Sequence, residues 1–124
     1  RLGIAIQLCY LQHPGRVLAE EETPPAMLLG IVAAQLKVSP AHWDLYAGRD
    51  QTRREHQWEL MRRLGLALFG RAEYRELCAW LMPTALQTHQ GLPLAEAAVA
   101  EIRRRRWVVP PVGVIERLVA EAST

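Results

Sequence analysis

Lysine, aspartate and cysteine are nearly missing from these 124 residues. Lys37 is the one lysine against fourteen arginines, and Asp44 and Asp50 are the only aspartates. Cys9 and Cys78 are the only cysteines, each among apolar neighbours. That excludes a disulfide scaffold and reads as two small core side chains of a reduced, cytosolic protein. So few aspartates leave little for acid–base or metal chemistry. His13, His42, His56 and His89 are scattered, and although Cys9 and His13 stand at i,i+4, no second ligand pair joins them. A zinc site needs three or four ligands. No phosphate-binding loop, G-x-G-x-x-G or G-x-S-x-G occurs, so no catalytic residue, metal or cofactor is expected. The charge-free span 77–95 contains Pro83, Thr84, Gln87, Thr88, Gly91 and Pro93, which excludes a membrane helix. No secretory signal is visible. The chain opens on Arg1, so a piece of a larger protein is expected.

What is present is an ordinary globular composition: half hydrophobic, 23% charged, net charge +2. The total does not argue for a polyanionic partner, but the distribution says more. Glu20-Glu21-Glu22 is a solid acidic run and Arg103-Arg104-Arg105-Arg106 a solid basic one. Arginine in place of lysine suits bidentate binding of phosphate or guanine; a coding bias toward arginine and alanine explains the excess equally well.

Apolar spacing predicts helices throughout and no strand. Leu2 to Leu11 turns Ile4, Leu8 and Leu11 to one face and stops at His13-Pro14-Gly15. Thr23 and Pro24 read as cap and first residue of a second helix, running to about Lys37 with Met27, Leu28, Ile31, Val32 and Leu36 inward. Ser39-Pro40 repeats the signal for a short helix carrying Trp43 and Tyr46. The turn at 38–39 makes a helix-turn-helix-like corner. A fourth helix follows, with Thr52 and Glu55 as a capping box, Trp58, Met61 and Leu64 as its stripe, and Gly65 past its end. A fifth, from about Arg71, presents Tyr74, Leu77, Cys78 and Leu81 and should kink or split at Pro83, continuing over Thr84–His89 to Gly91. Pro93 to about Arg104 and Pro111 to about Ala122 complete an all-α class with about seven helices. Residues 1–124 read as one helical region with possible sub-units 1–65 and 70–124.

Two segments carry candidate chemistry. On the fourth helix Arg53 and Gln57 fall on or beside the apolar stripe. Either the first turn projects into a DNA groove, or Arg53 pairs with a carboxylate inside the fold. The Arg103–Arg106 run exceeds what a helix dipole needs and resembles a phosphate clamp; a merely solvated run is the plain alternative.

The order of short motifs then resembles a family. Leu2 to Leu11 with His13-Pro14-Gly15-Arg16, Thr52-Arg53-Arg54-Glu55-His56, Phe69-Gly70-Arg71, Leu81-Met82-Pro83, Arg103 to Arg106, Pro110-Pro111 and Val114-Ile115-Glu116-Arg117-Leu118 are similar to the N-terminal region of the large transposases of the Tn-three family. The resemblance implies a helical region that binds the terminal inverted repeats of a transposon, with the catalytic acidic residues in a separate downstream domain. It places DNA contact on Thr52, Arg53, Arg54, His56 and the arginine run. With the helix reading, the expected DNA-binding set is Thr52, Arg53, Arg54, His56, Gln57, Arg103, Arg104, Arg105 and Arg106. Arg53 and Gln57 are expected in the major groove and the run on the backbone. Expected partners are double-stranded DNA, the remaining transposase domains and a possible second copy, with no membrane. The competing class is a non-catalytic helical protein–protein or dimerisation module.

Overall fold

Seven helices carry the regular structure of the computed structural model, which describes residues 1–124 apart from Glu20 and His89. They are α1 (Leu2–Gln12), α2 (Ala26–Leu36), α3 (His42–Ala47), α4 (Asp50–Leu64), α5 (Arg71–Gln87), α6 (Gly91–Arg104) and α7 (Val112–Ala122). Among the described residues the β structure is one isolated parallel bridge, Ala67 to Trp107, so the class is all-α. Glu20 of the acidic run and His89 at the expected helix end lie outside the described residues. By its internal contacts the chain forms two compact units, Arg1–Gly65 and Leu66–Thr124.

In the first unit α1 is the hub, with α2, α3 and α4 all packed on it and α3 also on α4. Its sequence, LGIAIQLCYLQ, is apolar almost all round, so periodicity cannot choose a face. The neighbours choose it: Leu2, Gly3, Ile6, Gln7, Tyr10 and Leu11 are buried, while the expected Ile4 and Leu8 are half-buried. The same ambiguity misplaces α2. Met27 and Ile31, expected inward, are 79% and 53% exposed, and Val32 and Ala33 take the core instead. Thr23 does not cap this helix, which starts at Ala26 behind Pro25. It closes on Lys37 in the left-handed conformation (φ 58°), with the Val38 N–H donating to the Ala33 carbonyl. The core joins Leu2, Ile6, Tyr10, Leu18, Val32, Ala33 and Trp43.

Leu18 reaches that core from a loop because Arg16 and Glu22 clamp the loop shut. The Arg16 guanidinium forks onto the Glu22 carboxylate at 2.8 and 2.5 Å and lies 5.2 Å over the Tyr10 ring. The Ala19 N–H donates to the same carboxylate. Ser39 acts at the next junction, its hydroxyl accepting the Ala41 N–H before α3.

In the second unit α5, α6 and α7 pack pairwise around Leu77, Leu81, Ala85, Leu94, Ala98, Ile102, Ile115, Leu118 and Ala122. Pro83 neither splits α5 nor ends it. Pro83 and Ala79, whose carbonyl loses its N–H partner, are both exposed, so water can replace the missing bond. Gly91 starts α6, rather than ending the helix before it. Glu73 supplies half a capping box to α5 by accepting the Gly70 N–H at 2.8 Å. The segment leading into α5 is tied down by its bridge. The Ala67 N–H donates to the Arg106 carbonyl and the Val108 N–H to the Ala67 carbonyl, at 3.0 and 2.8 Å. Phe69 then meets Trp107 and Tyr74 edge-on.

Candidate nucleic-acid interface

Helix α4 begins at Asp50 with Arg49 in the cap position. Thr52 therefore sits within the first turn, and the expected Thr52–Glu55 capping box is not formed there. Gly65 does close the helix, at φ +68°, a conformation glycine adopts without steric cost. The buried edge is Arg53, Leu60 and Met61, and Trp58, expected in the stripe, is 60% exposed. The carboxylate that meets Arg53 is not inside the fold, since Asp50 is 48% exposed; what the structure does bury is Arg53. Its side chain is 5% exposed, within 3.4 Å of Asp50. Thr52, His56 and Gln57 are half-buried, whereas Arg54 faces outward.

A hydrogen-bonded chain fixes the start of α4 to α1 and α3. Gln7 Nε2 donates to the Arg53 carbonyl at 3.2 Å and to the Tyr46 hydroxyl. The same hydroxyl shares a second hydrogen bond with His56 Nδ1, 2.9 Å away. The Tyr46 and His56 rings also stack, with centroids 5.6 Å apart. His56 is thus committed to the fold through one nitrogen. The outward face of α4 carries Arg54, Trp58 and Arg62, one turn apart on a single line. The exposed Trp58 and Arg62 were missed because a tryptophan in register with Met61 reads as core.

The arginine run closes α6. Arg105 is the cap residue, and Arg106 follows in the left-handed conformation at φ 62°. The Arg106 N–H donates to the Arg103 carbonyl and the Trp107 N–H to the Ile102 carbonyl, the paired bonds of a Schellman ending. This tight turn leaves Arg103, Arg104 and Arg106 exposed and draws Arg105 in, where it lies 5.1 Å over the Trp107 ring. The run is not a row of equivalent cations, because Glu101 lies one turn earlier. Its side chain is 7% exposed. Its carboxylate accepts Arg104 Nε at 2.8 Å and Nη2 at 2.6 Å, and Arg105 Nε at 2.7 Å. The spacing from Glu101 to Arg104 and Arg105, i+3 and i+4, was legible beforehand.

Both clamping carboxylates titrate low. Hydrogen bonds from Arg16 hold Glu22 at about 2, and those from Arg104 and then Arg105 hold Glu101 at about 2, against an ordinary 4.5. The folded values lie below the unfolded one, so each pairing contributes fully above about pH 4.5 and is lost as pH falls through about 2. The thermal midpoint, followed by circular dichroism, is expected to drop across that window. Glu22→Gln and Glu101→Gln should each flatten the drop; a profile unchanged in both variants would show that other carboxylates set the acid limit.

Arg106 carries a second expected result. An L-residue in the left-handed region is disfavoured by roughly 1–2 kcal/mol relative to glycine's tolerance. Arg106→Gly is expected to stabilise the chain by about 0.5–1 kcal/mol, after the entropy that glycine adds to the unfolded state. Urea denaturation reads this directly, and a loss of stability would mean that the side chain's contacts outweigh the backbone strain.

No helix among the described residues is long and apolar enough to cross a membrane. No group of three potential metal-binding side chains occurs among them. Over its full length the chain is 46% identical to the transposase for transposon Tn3926 and 43% identical to that for transposon Tn21, both of Escherichia coli. It is 43% identical over 98% of its length to the transposase for transposon Tn501 of Pseudomonas aeruginosa. The chain spans only 12–13% of the length of these relatives. A family model described as a domain of unknown function, DUF4158, matches residues 1–122. The chain belongs to the DUF4158 family and is similar throughout to the N-terminal part of Tn-three-family transposases.

Proposed function

We propose that this chain is a non-catalytic, sequence-specific DNA-binding portion of a transposase, acting in the cytoplasm on the terminal inverted repeats of a transposon. The observation that carries the reading is the full-length similarity to transposases. The exposed arginines of two separate helix surfaces suit it chemically. In the first unit α3 and α4 pack on each other across Gly48 and Arg49, a helix-turn-helix-like pair with α4 as the reading helix. The contact face is Arg54, Trp58 and Arg62, with Thr52 and Gln57 at its edges. Arg54 and Arg62 are eight residues apart, about 12 Å along a helix axis, close to the width of the major groove. Arg54 and Trp58 toward the base edges and Arg62 on a phosphate wall is the docking this spacing allows. Arg53 and His56 act from behind, by fixing the helix. In the second unit Arg103, Arg104 and Arg106 contact phosphates.

The test is fluorescence anisotropy with the terminal inverted repeat of the encoding element and a scrambled duplex, across a salt series. Tighter binding to the repeat is expected, with the preference reduced by roughly tenfold or more in Arg54→Ala and Trp58→Ala, since base-reading contacts discriminate by about 1–3 kcal/mol. Equal weak binding to both duplexes would reduce the reading to a generic phosphate contact. The alternative, a protein–protein module serving the remaining transposase domains or a second copy, draws on Met82 and Leu86. These lie one turn apart on α5 and are 51% and 83% exposed. No DNA binding together with concentration-dependent dimerisation in light scattering would favour it.

A further inference from the structure

We infer that Glu101 governs the arginine turn: it withholds Arg104 and Arg105 from indiscriminate phosphate binding and fixes the direction from which Arg104 meets a phosphate. This rests on the DNA-binding reading above and adds to it a specificity-determining residue that itself touches no DNA.

The geometry supplies the argument. A guanidinium has two hydrogen-bonding edges, and one edge of Arg104, Nε with Nη2, is occupied by both Glu101 oxygens. The Arg104 side chain remains 70% exposed, and the edge carrying Nη1 is not the one that Glu101 occupies. Arg105 gives its Nε to the same carboxylate and lays its plane over Trp107. Two guanidiniums thus share one buried carboxylate, and the three groups together carry a single net positive charge. The carboxylate itself is anchored: Glu101 and Ile102 are buried side by side in the last turns of α6, and Ile102 belongs to the unit's core. An arginine on a flexible stem collects phosphates from any duplex, and its binding is sequence-blind. An arginine held by an anchored carboxylate presents one edge in one direction. A phosphate must arrive there, at a position set by the rest of the interface, or compete with an internal anion already in place.

The prediction is counterintuitive for a DNA-binding surface, because removing an acid should cost specificity while raising affinity. In Glu101→Gln the scrambled duplex is expected to bind about five- to tenfold more tightly near 0.1 M salt, and the slope of log K against log salt to steepen by about one. Each added phosphate contact contributes about 0.9 to that slope. The repeat should gain less than the scrambled duplex, so their ratio falls. A double-mutant cycle isolates the pairing. Arg104→Ala should make the slope shallower by about one in the Glu101→Gln background and by clearly less in the wild-type background. Arg104→Lys is exposed and keeps the charge, but cannot make the planar fork. It should lower the repeat-to-scrambled ratio as Glu101→Gln does, and it keeps the test alive if Glu101→Gln melts below the assay temperature.

The inference is overturned if the Arg104→Ala effect is the same in both backgrounds, or if neither Glu101→Gln nor Arg104→Lys changes the ratio. Equal weakening of both duplexes in a folded Glu101→Gln variant overturns it too, because Glu101 would then be structural only. Failure of the underlying reading looks different: wild-type chain would show no salt-dependent binding to either duplex.

Discussion

Gly3→Ala is expected to destabilise the first unit by about 2 kcal/mol, although the substitution exchanges glycine for the best helix former. Gly3 lies inside α1, where alanine is ordinarily favoured by about 1 kcal/mol. Here a Cβ would run into the Tyr46 ring, which lies flat against the glycine. The helix backbone cannot retreat, because Leu2, Ile6 and Tyr10 hold it in the core. The ring must move instead, and it cannot move alone. Its hydroxyl joins Gln7 to His56, and Gln7 is also bonded to the Arg53 carbonyl. The ring also packs against Trp43, with centroids 5.6 Å apart and planes tilted by 43°. Overpacking costs typically 1–3 kcal/mol, and each displaced hydrogen bond adds about 1 kcal/mol, so the loss outweighs the propensity gain. For a unit this small the thermal midpoint should fall by roughly 10 °C, with a change in the near-ultraviolet signal of Trp43. The sign of the effect tests the cause. In a Tyr46→Ala background the clash is gone, and Gly3→Ala should become neutral or stabilising. Destabilisation of the same size in both backgrounds would rule Tyr46 out as the reason.

The same chain of contacts shows where sequence reasoning reached and where it stopped. Helix existence was legible, since Gly65, Ser39 and the prolines punctuate apolar periodicities that local chemistry enforces. Helix faces were legible where polar and apolar residues alternate with the right period. In α7 Ile115, Leu118 and Ala122 turn inward as expected, with Val114 and Val119 half-buried beside them. Faces were not legible in α1 and α2, whose apolar residues ring the helix, so that only the position of neighbours decides. Helix starts were misread at Thr23 and Thr52 for a related reason: a cap residue is a local preference of about 1 kcal/mol, and tertiary packing moved both boundaries. Arg53 is the instructive error. Spacing placed it correctly on the inward side of α4. Expecting it in a groove ignored that Asp50, one turn before it, could meet it from the exposed rim of the helix. Trp58 is the converse, a large apolar side chain left outside because Leu60 and Met61 already fill the contact. The arginine turn was visible as charge, but its inequality was not drawn from the sequence, because Glu101 was counted as one acid among several.

Replacing Arg103 and Arg106 together is expected to weaken duplex binding by about 100-fold near 0.1 M salt, the largest functional effect predicted for the chain. The pair is chosen because it leaves Glu101 with both of its partners, Arg104 and Arg105, so the buried Glu101 carboxylate stays covered. Both residues are exposed, and Arg106 is carried on the left-handed step that ends α6. That step turns the chain so that Arg106 does not continue the helical rotation of Arg103 to Arg105. Two phosphate contacts account for a slope change of about two in log K against log salt, or roughly one order of magnitude in affinity each at that salt. The loss should be nearly equal for the inverted repeat and a scrambled duplex, since phosphate contacts carry no sequence information. Arg54→Ala should do the reverse, eroding the preference more than the slope. To separate this from unfolding, binding of the Arg103→Ala, Arg106→Gly variant is compared at a temperature where its circular dichroism matches that of the folded wild type. If that variant binds as tightly and with the same slope, the arginine turn is a solvated helix end and the DNA contacts must be sought on α4 alone. If the preference for the repeat collapses along with the affinity, these arginines read bases, and the division of labour between the two surfaces is reversed.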